Sequence, residues 1–295
     1  MSTPPDAPAS PLGLDSLPPP EMALKAEQVG LAKASMSFTK TFTLAVLAGA
    51  FIALGAVFCT TVTTGAVALP YGVGRLLGGL AFCLGLILVI VAGAELFTGN
   101  ALIVMAWAGG RVSTVRLLRN WLIVYLGNLA GSLGTVALVL AGGQYAMAGG
   151  AVGLNALNLA QAKCSLEFVP ALALGLLCNA LVCLAVWLCF SARTLGDRVA
   201  AIVFPITAFV ACGFEHSVAN MYFIPAGLGV KALAGQDFWR AIGRAPADFP
   251  LLTWSNFLLA NLLPVTLGNI IGGAVLVGLA YWFVFLRGRA RDRQS

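Results

Sequence analysis

Six long apolar segments divide this 295-residue chain and constrain its fold more than any other feature. A helix that crosses a bilayer needs about 20 mostly apolar residues. Of all residues, 60% are hydrophobic and only 9% are charged, whereas soluble domains carry about 25% charged residues. A water-soluble globule and a disordered chain are therefore excluded. The sequence predicts an all-α integral membrane protein with six spans, at residues 41–67, 77–107, 120–142, 168–192, 199–228 and 254–286.

The basic residues predict the orientation of these spans. Twelve Lys and Arg residues fall on the side that holds both termini, and five fall on the other side. Because cytoplasmic loops carry an excess of Lys and Arg, we expect both termini in the cytoplasm. The net charge of +6 comes without a basic stripe that alternates with aromatic residues, so no nucleic-acid partner is expected.

The chain outside the spans suggests three further regions. Residues 1–20 hold seven of the fourteen prolines and lack the apolar core of a signal peptide. We expect residues 1–20 to be a disordered cytoplasmic tail and residues 21–40 to form a helix at the membrane surface. The six-span transport domain would then cover residues 41–286, and residues 287–295 would form a basic cytoplasmic tail.

Two motifs occur twice in the same order. G-x-E-x-x-x-x-N begins at Gly93 and again at Gly213, and N-x6-G-N-x2-G begins at Asn120 and again at Asn261. This pattern predicts a duplicated unit of three spans, whose second copy must be inverted because three is odd. An inverted 3+3 repeat with two broken helices is typical of a transport route near the bilayer midplane.

The ionisable residues within the spans are few. His216 is the only histidine and follows Glu215, and Glu95 is the counterpart of Glu215 in the first copy. Intramembrane ionisable residues are functional candidates, although a hydrogen-bonded core histidine is the alternative. The glutamates fit a structural role, with each carboxylate capping backbone N–H groups at the start of a half-helix. Glu215 could also tune His216.

Enzymatic chemistry finds little support in these residues. One histidine, no H-E-x-x-H motif and no C-x-x-C pair leave no pattern for a metal site or a nucleophile with its base. We therefore expect no enzyme, no cofactor and no bound metal. An aquaporin-like channel for neutral solutes shares the inverted repeat, but the expected pair of N-P-A motifs is missing.

The motif segments resemble the formate/nitrite transporter family from about residue 30 to residue 287. The most diagnostic are residues 213–221, together with residues 93–100 and 261–273. Residues 237–253 are most similar to the formate-channel branch, while residues 98–100 depart toward the nitrite branch. The resemblance implies an aquaporin-like protomer, a homopentamer with one pore per protomer, a bacterial inner membrane location, and small monovalent weak-acid anions as substrates.

The resemblance also implies roles for individual side chains. Lys163 would attract anions from the loop between spans three and four, Thr98 would offer its hydroxyl, and Asn179 and Asn269 would line the pore. The alternatives are a solvated surface lysine, a capping threonine and interhelical hydrogen bonds. The implied substrate and proton pathway comprises His216, Lys163, Thr98, Asn179, Asn269 and Glu215. The implied apolar constrictions, which core packing would explain equally well, comprise Phe82, Leu86, Leu96 and Phe209.

The energetics of the pathway suggest a mechanism. A bare anion in an apolar constriction faces a large desolvation cost, whereas protonating an acid of pKa about 4 at pH 7 costs roughly 4 kcal/mol. Histidine can lend such a proton near neutral pH. We therefore predict proton-linked passage of formate, with His216 protonating the anion. Nitrite, hydrosulfide or lactate is the alternative substrate, and an aquaporin-like channel or an intramembrane enzyme is the alternative class.

Overall fold

The computed structural model describes residues 16–288, and the regular structure of this part is helical. Short 3-10 turns connect several of the helices. In chain order the helices are α1 (Pro19–Ala34), α2 (Phe38–Val62), α3 (Tyr71–Ala92), α4 (Gly99–Ala108), α5 (Thr114–Ala141), α6 (Ala151–Cys164), α7 (Phe168–Ser191), α8 (Leu195–Ala211), α9 (Ser217–Leu233), α10 (Gln236–Ile242) and α11 (Asn256–Phe285).

Five of these helices, α2, α3, α5, α7 and α11, are long and apolar enough to cross a membrane. The predicted all-α membrane class is therefore confirmed. The predicted span at residues 199–228 is divided into α8 and α9, of 17 residues each. The span predicted at residues 77–107 is likewise divided into α3 and the shorter α4. The structure thus interrupts the two segments that contain the intramembrane glutamates.

A glycine ends the helix at each interruption. Gly93 follows α3 with a φ of +78°, and Gly213 lies just after α8 with a φ of +76°. Glycine adopts this left-handed conformation without the steric cost that a Cβ atom imposes, which is why it commonly terminates helices. We name residues 93–98 the first break and residues 213–216 the second break.

The second repeated motif places glycines where helices pack closely. An added Cβ on Gly131 of α5 would lie 1.9 Å from the carbonyl oxygen of Val46 in α2. An added Cβ on Gly272 of α11 would lie 2.0 Å from that of Leu176 in α7. Small residues allow membrane helices to approach in this way. The internal repeat therefore specifies matching helix–helix contacts in both halves.

The first helix differs from the predicted surface helix at residues 21–40. It ends at Ala34, and the last residues of the predicted segment already belong to α2. One face of α1 is buried, including Met22 and Ala26, and the Lys25 ammonium donates to the Phe190 carbonyl oxygen at 2.8 Å. Helix α1 thus packs against the end of α7. Most of the two predicted tails, residues 1–15 and 289–295, lies outside the described residues.

Candidate functional site

The single histidine lies at the start of α9, directly after the second break. The side chain of His216 is buried, and its Nδ1 atom accepts a hydrogen bond from the Ala219 backbone N–H at 3.0 Å. This bond caps the helix. Since an accepting Nδ1 carries no hydrogen, the neutral ring holds its proton on Nε2. The helix cap therefore determines the tautomer of the neutral ring.

The Nε2 atom of His216 points to the other break. It lies 2.9 Å from Oγ1 of Thr98, which is fully buried and directly precedes α4. With the proton on Nε2, the histidine donates and the threonine oxygen accepts. The Thr98 hydroxyl hydrogen is then free to be donated to a third group. The two breaks thus meet at one hydrogen bond between a histidine and a threonine.

Two side chains of α7 form hydrogen bonds with the backbone of Thr98. Its carbonyl oxygen accepts from Nδ2 of Asn179 at 3.2 Å and from Sγ of Cys183 at 3.3 Å. The same Nδ2 donates to the carbonyl oxygen of Asn269 at 2.6 Å. Asn179 therefore connects the first break to α11. These contacts position Thr98, and the role of Asn179 along the pathway stays a prediction.

A charged cluster stands beside the second break. The Lys163 ammonium contacts Oε1 of Glu215 at 2.8 Å, and both side chains are mostly buried, with 17% and 7% exposure. The other carboxylate oxygen accepts from Asn220 at 2.7 Å and from Asn261 at 3.3 Å. A buried carboxylate needs such partners because its desolvation is costly.

An equivalent cluster stands beside the first break. The Lys33 ammonium contacts Oε1 of Glu95 at 2.5 Å, and Asn100 donates to Oε2 at 2.7 Å. Asn100 also donates to Asn120 at 2.9 Å, as Asn220 donates to Asn261 in the other cluster. The inverted repeat therefore extends to buried ion pairs, and it includes α1 and α6 as counterparts.

A second pair of asparagines ties each break to its neighbouring helices. Asn128 donates to the carbonyl oxygens of Ala45 and Glu95 and accepts from the Phe97 N–H. Asn269 donates to the carbonyl oxygens of Gly175 and Glu215 and accepts from the Ser217 N–H. Each amide thus pairs with two backbone groups at a break and with one carbonyl oxygen of a neighbouring continuous helix, α2 or α7.

Two cavities approach the histidine–threonine pair. The Lys33 cavity, of about 350 Å³, is lined by residues that include Lys33, Leu86 and Leu96. The Lys163 cavity, of about 250 Å³, is lined by residues that include Lys163, His216, Phe82 and Phe209. The predicted constriction residues are therefore divided between the cavities, with the two leucines in one and the two phenylalanines in the other.

One aromatic ring packs against the histidine in the Lys163 cavity, and a second packs against the first. The Phe209 ring lies nearly parallel to the imidazole of His216, with centroids 5.9 Å apart. Phe82 meets Phe209 edge to face at 5.7 Å. The imidazole thus lies beside an apolar ring, and a hydrated ion loses water contacts on approaching such a surface.

Comparison with known proteins places this arrangement in a family. The sequence profile described as formate/nitrite transporter matches residues 20–283. The chain belongs to the formate/nitrite transporter family. It is 50% identical over 273 residues to formate channel FocA of Escherichia coli (strain K12), covering 92% of this chain and 96% of that protein. It is 40% identical over 262 residues to formate channel FocB of the same organism, covering 89% and 93%.

A solved structure supports the same assignment. The fold matches a pentameric formate channel with formate bound, with a TM-score of 0.81 and 50% sequence identity. The match covers 85% of this chain and 98% of that one. The family resemblance predicted from the motif segments is therefore confirmed, together with the helical membrane fold.

Two details of the predicted site are wrong. Lys163 was expected in a loop between spans three and four, but it lies in the last turn of α6. The glutamates were expected to cap backbone N–H groups. Instead, within residues 16–288 the Glu95 and Glu215 carboxylates bond to side chains, because a lysine and an asparagine approach each one. The ring nitrogens of His216 bond to Thr98 and Ala219, so Glu215 could influence the ring only by its charge.

Sequence reasoning missed Lys33 as a site residue. A signal was present, because A-K-x-S-x-x-F occurs at residues 32–38 and again at residues 162–168. This third repeated motif aligns Lys33 with Lys163. It was overlooked because both segments lie outside the six predicted spans, where a lysine ordinarily faces water.

Proposed function

We propose that this member of the formate/nitrite transporter family carries formate together with a proton across a bacterial cell membrane. One pathway would run through each protomer of a homopentamer, with both termini in the cytoplasm. The observation that carries this proposal is the hydrogen bond between His216 and Thr98, which lies where the two breaks meet. Similarity to the formate channels FocA and FocB supports formate as the substrate, and similarity to the pentameric formate channel supports the pentamer. The proposal assigns no enzymatic reaction.

The charged clusters suggest how an anion is attracted. Each cavity is lined by a lysine paired with a glutamate. Because the lysine neutralises the carboxylate, the glutamate does not repel an anion that approaches the ammonium. Arg75 adds a guanidinium to the lining of the Lys163 cavity, where it donates to the carbonyl oxygens that end α8. Positive charge in a cleft with apolar walls raises the local anion concentration.

The proton transfer follows from the tautomer. A second proton can bind the imidazole of His216 only at Nδ1. This releases the Ala219 N–H, a loss of about 1 kcal/mol for one hydrogen bond, and it places a charge in a buried site, which adds a desolvation cost. An anion beside the ring favours its charged form and offsets that cost. Nε2 then passes its proton to Thr98 Oγ1 as Thr98 passes its own hydroxyl proton to the anion. The neutral acid moves on and leaves a neutral ring with its proton on Nδ1. The starting tautomer returns when this proton passes to water in the cavity and water delivers one to Nε2.

Uptake into proteoliposomes across an imposed pH gradient tests this function. We expect inward formate movement to follow the proton gradient in the wild type, and His216→Phe to lose this coupling. The substitution Asn158→Ala serves as a control for expression and reconstitution, because Asn158 is exposed. Full proton-coupled uptake by His216→Phe would falsify the proposed role of the histidine. Rapid passage of chloride or nitrate by the wild type would indicate a plain anion pore.

The same vesicles distinguish the alternative substrates and classes. Nitrite, lactate and hydrosulfide replace formate in turn, and the substrate with the highest proton-coupled rate identifies the preferred acid. Osmotic swelling with uncharged solutes tests for an aquaporin-like channel. We expect formate to drive a larger pH change than the other three anions and uncharged solutes to cause little swelling.

A further inference from the structure

One buried polar atom in the Lys163 cavity lacks a partner. Asn220 is fully buried, and its side-chain oxygen, Oδ1, has no hydrogen bond to any residue in the part of the chain that the structure describes. Asn220 lines the same cavity as His216 and follows it by one helical turn, with its N–H bonded to the His216 carbonyl oxygen at 2.9 Å. Most buried polar atoms are hydrogen-bonded, so an unpaired one requires an explanation.

The orientation of this amide is well determined. Its nitrogen, Nδ2, donates to Oε2 of Glu215 at 2.7 Å and to Oδ1 of Asn261 at 2.7 Å. Both partners are oxygens that accept, so exchanging the nitrogen and oxygen of Asn220 would bring oxygens together and lose two bonds. The free atom is therefore an acceptor, and it can bind only a donor.

The first half of the molecule shows what its counterpart binds. Oδ1 of Asn100 accepts from the Lys33 ammonium at 3.1 Å, so Lys33 bridges Glu95 and Asn100. In the second half the Lys163 ammonium bonds to Glu215 and lies 5.3 Å from the ring centroid of Phe223. The acceptor that a lysine satisfies in the Lys33 cavity is thus left open in the cavity that contains the histidine.

Protonation changes which group of the substrate this acceptor can bind. A carboxylate or nitrite anion has no donor and is repelled by an amide oxygen, whereas the protonated acid carries an O–H. We propose that Oδ1 of Asn220 accepts the O–H of the neutral acid in the Lys163 cavity and so favours the protonated substrate over its anion. This inference rests on the proposed proton-linked function. Asn220 would be a specificity-determining residue that acts next to the proton donor.

Comparison of two acids tests this assignment. Formic acid offers an O–H donor, whereas hydrogen sulfide offers only weak S–H donors. Electroneutral uptake of formate and of hydrosulfide is measured in proteoliposomes for the wild type, Asn220→Ala and Asn100→Ala. We expect Asn220→Ala to slow formate uptake about tenfold, a typical loss for one hydrogen bond, and to change hydrosulfide uptake less than twofold. The matched variant Asn100→Ala should change the ratio of the two rates less than twofold.

Three outcomes would contradict the assignment. Unchanged formate uptake by Asn220→Ala would mean that water satisfies the acceptor. An equal loss for both acids would mean that the amide only supports Glu215, and an equal change of the ratio in Asn100→Ala would mean that the effect is not particular to this cavity. Failure of the proposed function itself is separate, because it would appear as wild-type uptake that is not proton-coupled.

Discussion

The two breaks share one scaffold but differ in the residues that they present. When the two motifs are aligned, both have a glutamate at the same position, Glu95 and Glu215. Leu96 of the first motif aligns with His216 of the second, and Thr98 aligns with Val218. Each break begins with a left-handed glycine and is held by an ion pair and by hydrogen bonds to one asparagine. The duplication therefore repeats the elements that hold an interrupted helix in a membrane, and the proposed proton chemistry is formed by one residue from each half.

The two lysines also occupy equivalent positions but differ in their contacts. Lys33 donates to two acceptors, Glu95 and Asn100, while Lys163 donates only to Glu215 within the part of the chain that the structure describes. A cation with fewer partners keeps more of its hydrogen-bonding capacity for a ligand. We infer that the first cluster is chiefly structural and that the second can also interact with substrate.

The largest expected effect tests the shared scaffold. Asn128→Ala and Asn269→Ala each remove three hydrogen bonds to buried backbone groups, so each should lower the free energy of unfolding by about 3–5 kcal/mol. Detergent-titration unfolding, followed by tryptophan fluorescence, measures both variants against the exposed control Asn158→Ala, which should change it by less than about 0.5 kcal/mol. Equal losses of unfolding free energy would show that Asn128 and Asn269 stabilise the two halves equally. A loss in only one variant would contradict the equivalence of the two breaks.

Much of this scaffold was predictable from the sequence, because it depends on local spacing. The motif that begins at Gly93 and Gly213 marks both breaks, and the motif of Asn120 and Asn261 marks the glycines that let helices approach. The partners of Glu95 were not predicted, because Lys33 comes from a helix that the hydropathy pattern assigned to the membrane surface. Long-range contacts of this kind leave no periodic signal in one sequence.

The contact between His216 and Thr98 shows the same limit. Both residues were identified as candidates, but their separation of 118 positions gave no reason from spacing alone to pair them. The inverted repeat brings the breaks together only when both halves fold. The direction of the hydrogen bond depends in turn on the Ala219 N–H, a backbone group that no sequence pattern reveals.

The second prediction sharpens the contrast between the lysines. Lys33→Met should destabilise the protein by about 3 kcal/mol, because it leaves the buried Glu95 carboxylate without its cation. Lys163→Met should destabilise it less, by about 1–2 kcal/mol, since two asparagines still bond to Glu215. In transport, Lys163→Met should raise the apparent half-saturation concentration for formate several-fold more than Lys33→Met does.

Unfolding titrations and concentration-dependent formate uptake on the same preparations provide both readouts. If the two lysine variants lose the same stability and show the same half-saturation concentration, the clusters are equivalent and the assignment of different roles is wrong. An unchanged half-saturation concentration in Lys163→Met would instead make Lys163 a purely structural partner of Glu215.

The smallest expected effect tests the one bond that joins the two breaks. Thr98→Val preserves the shape of the side chain but removes the acceptor of the His216 Nε2–H, and loss of one such bond corresponds to about 1–2 kcal/mol. We expect proton-coupled formate uptake to fall about tenfold and Thr98→Ser to retain most of it. In the double variant with His216→Phe, Thr98→Val should cause no additional loss, because the two side chains act as one unit. Additive losses would show that Thr98 and His216 contribute separately, and the proposed relay through the threonine hydroxyl would then fail while the histidine could still act alone.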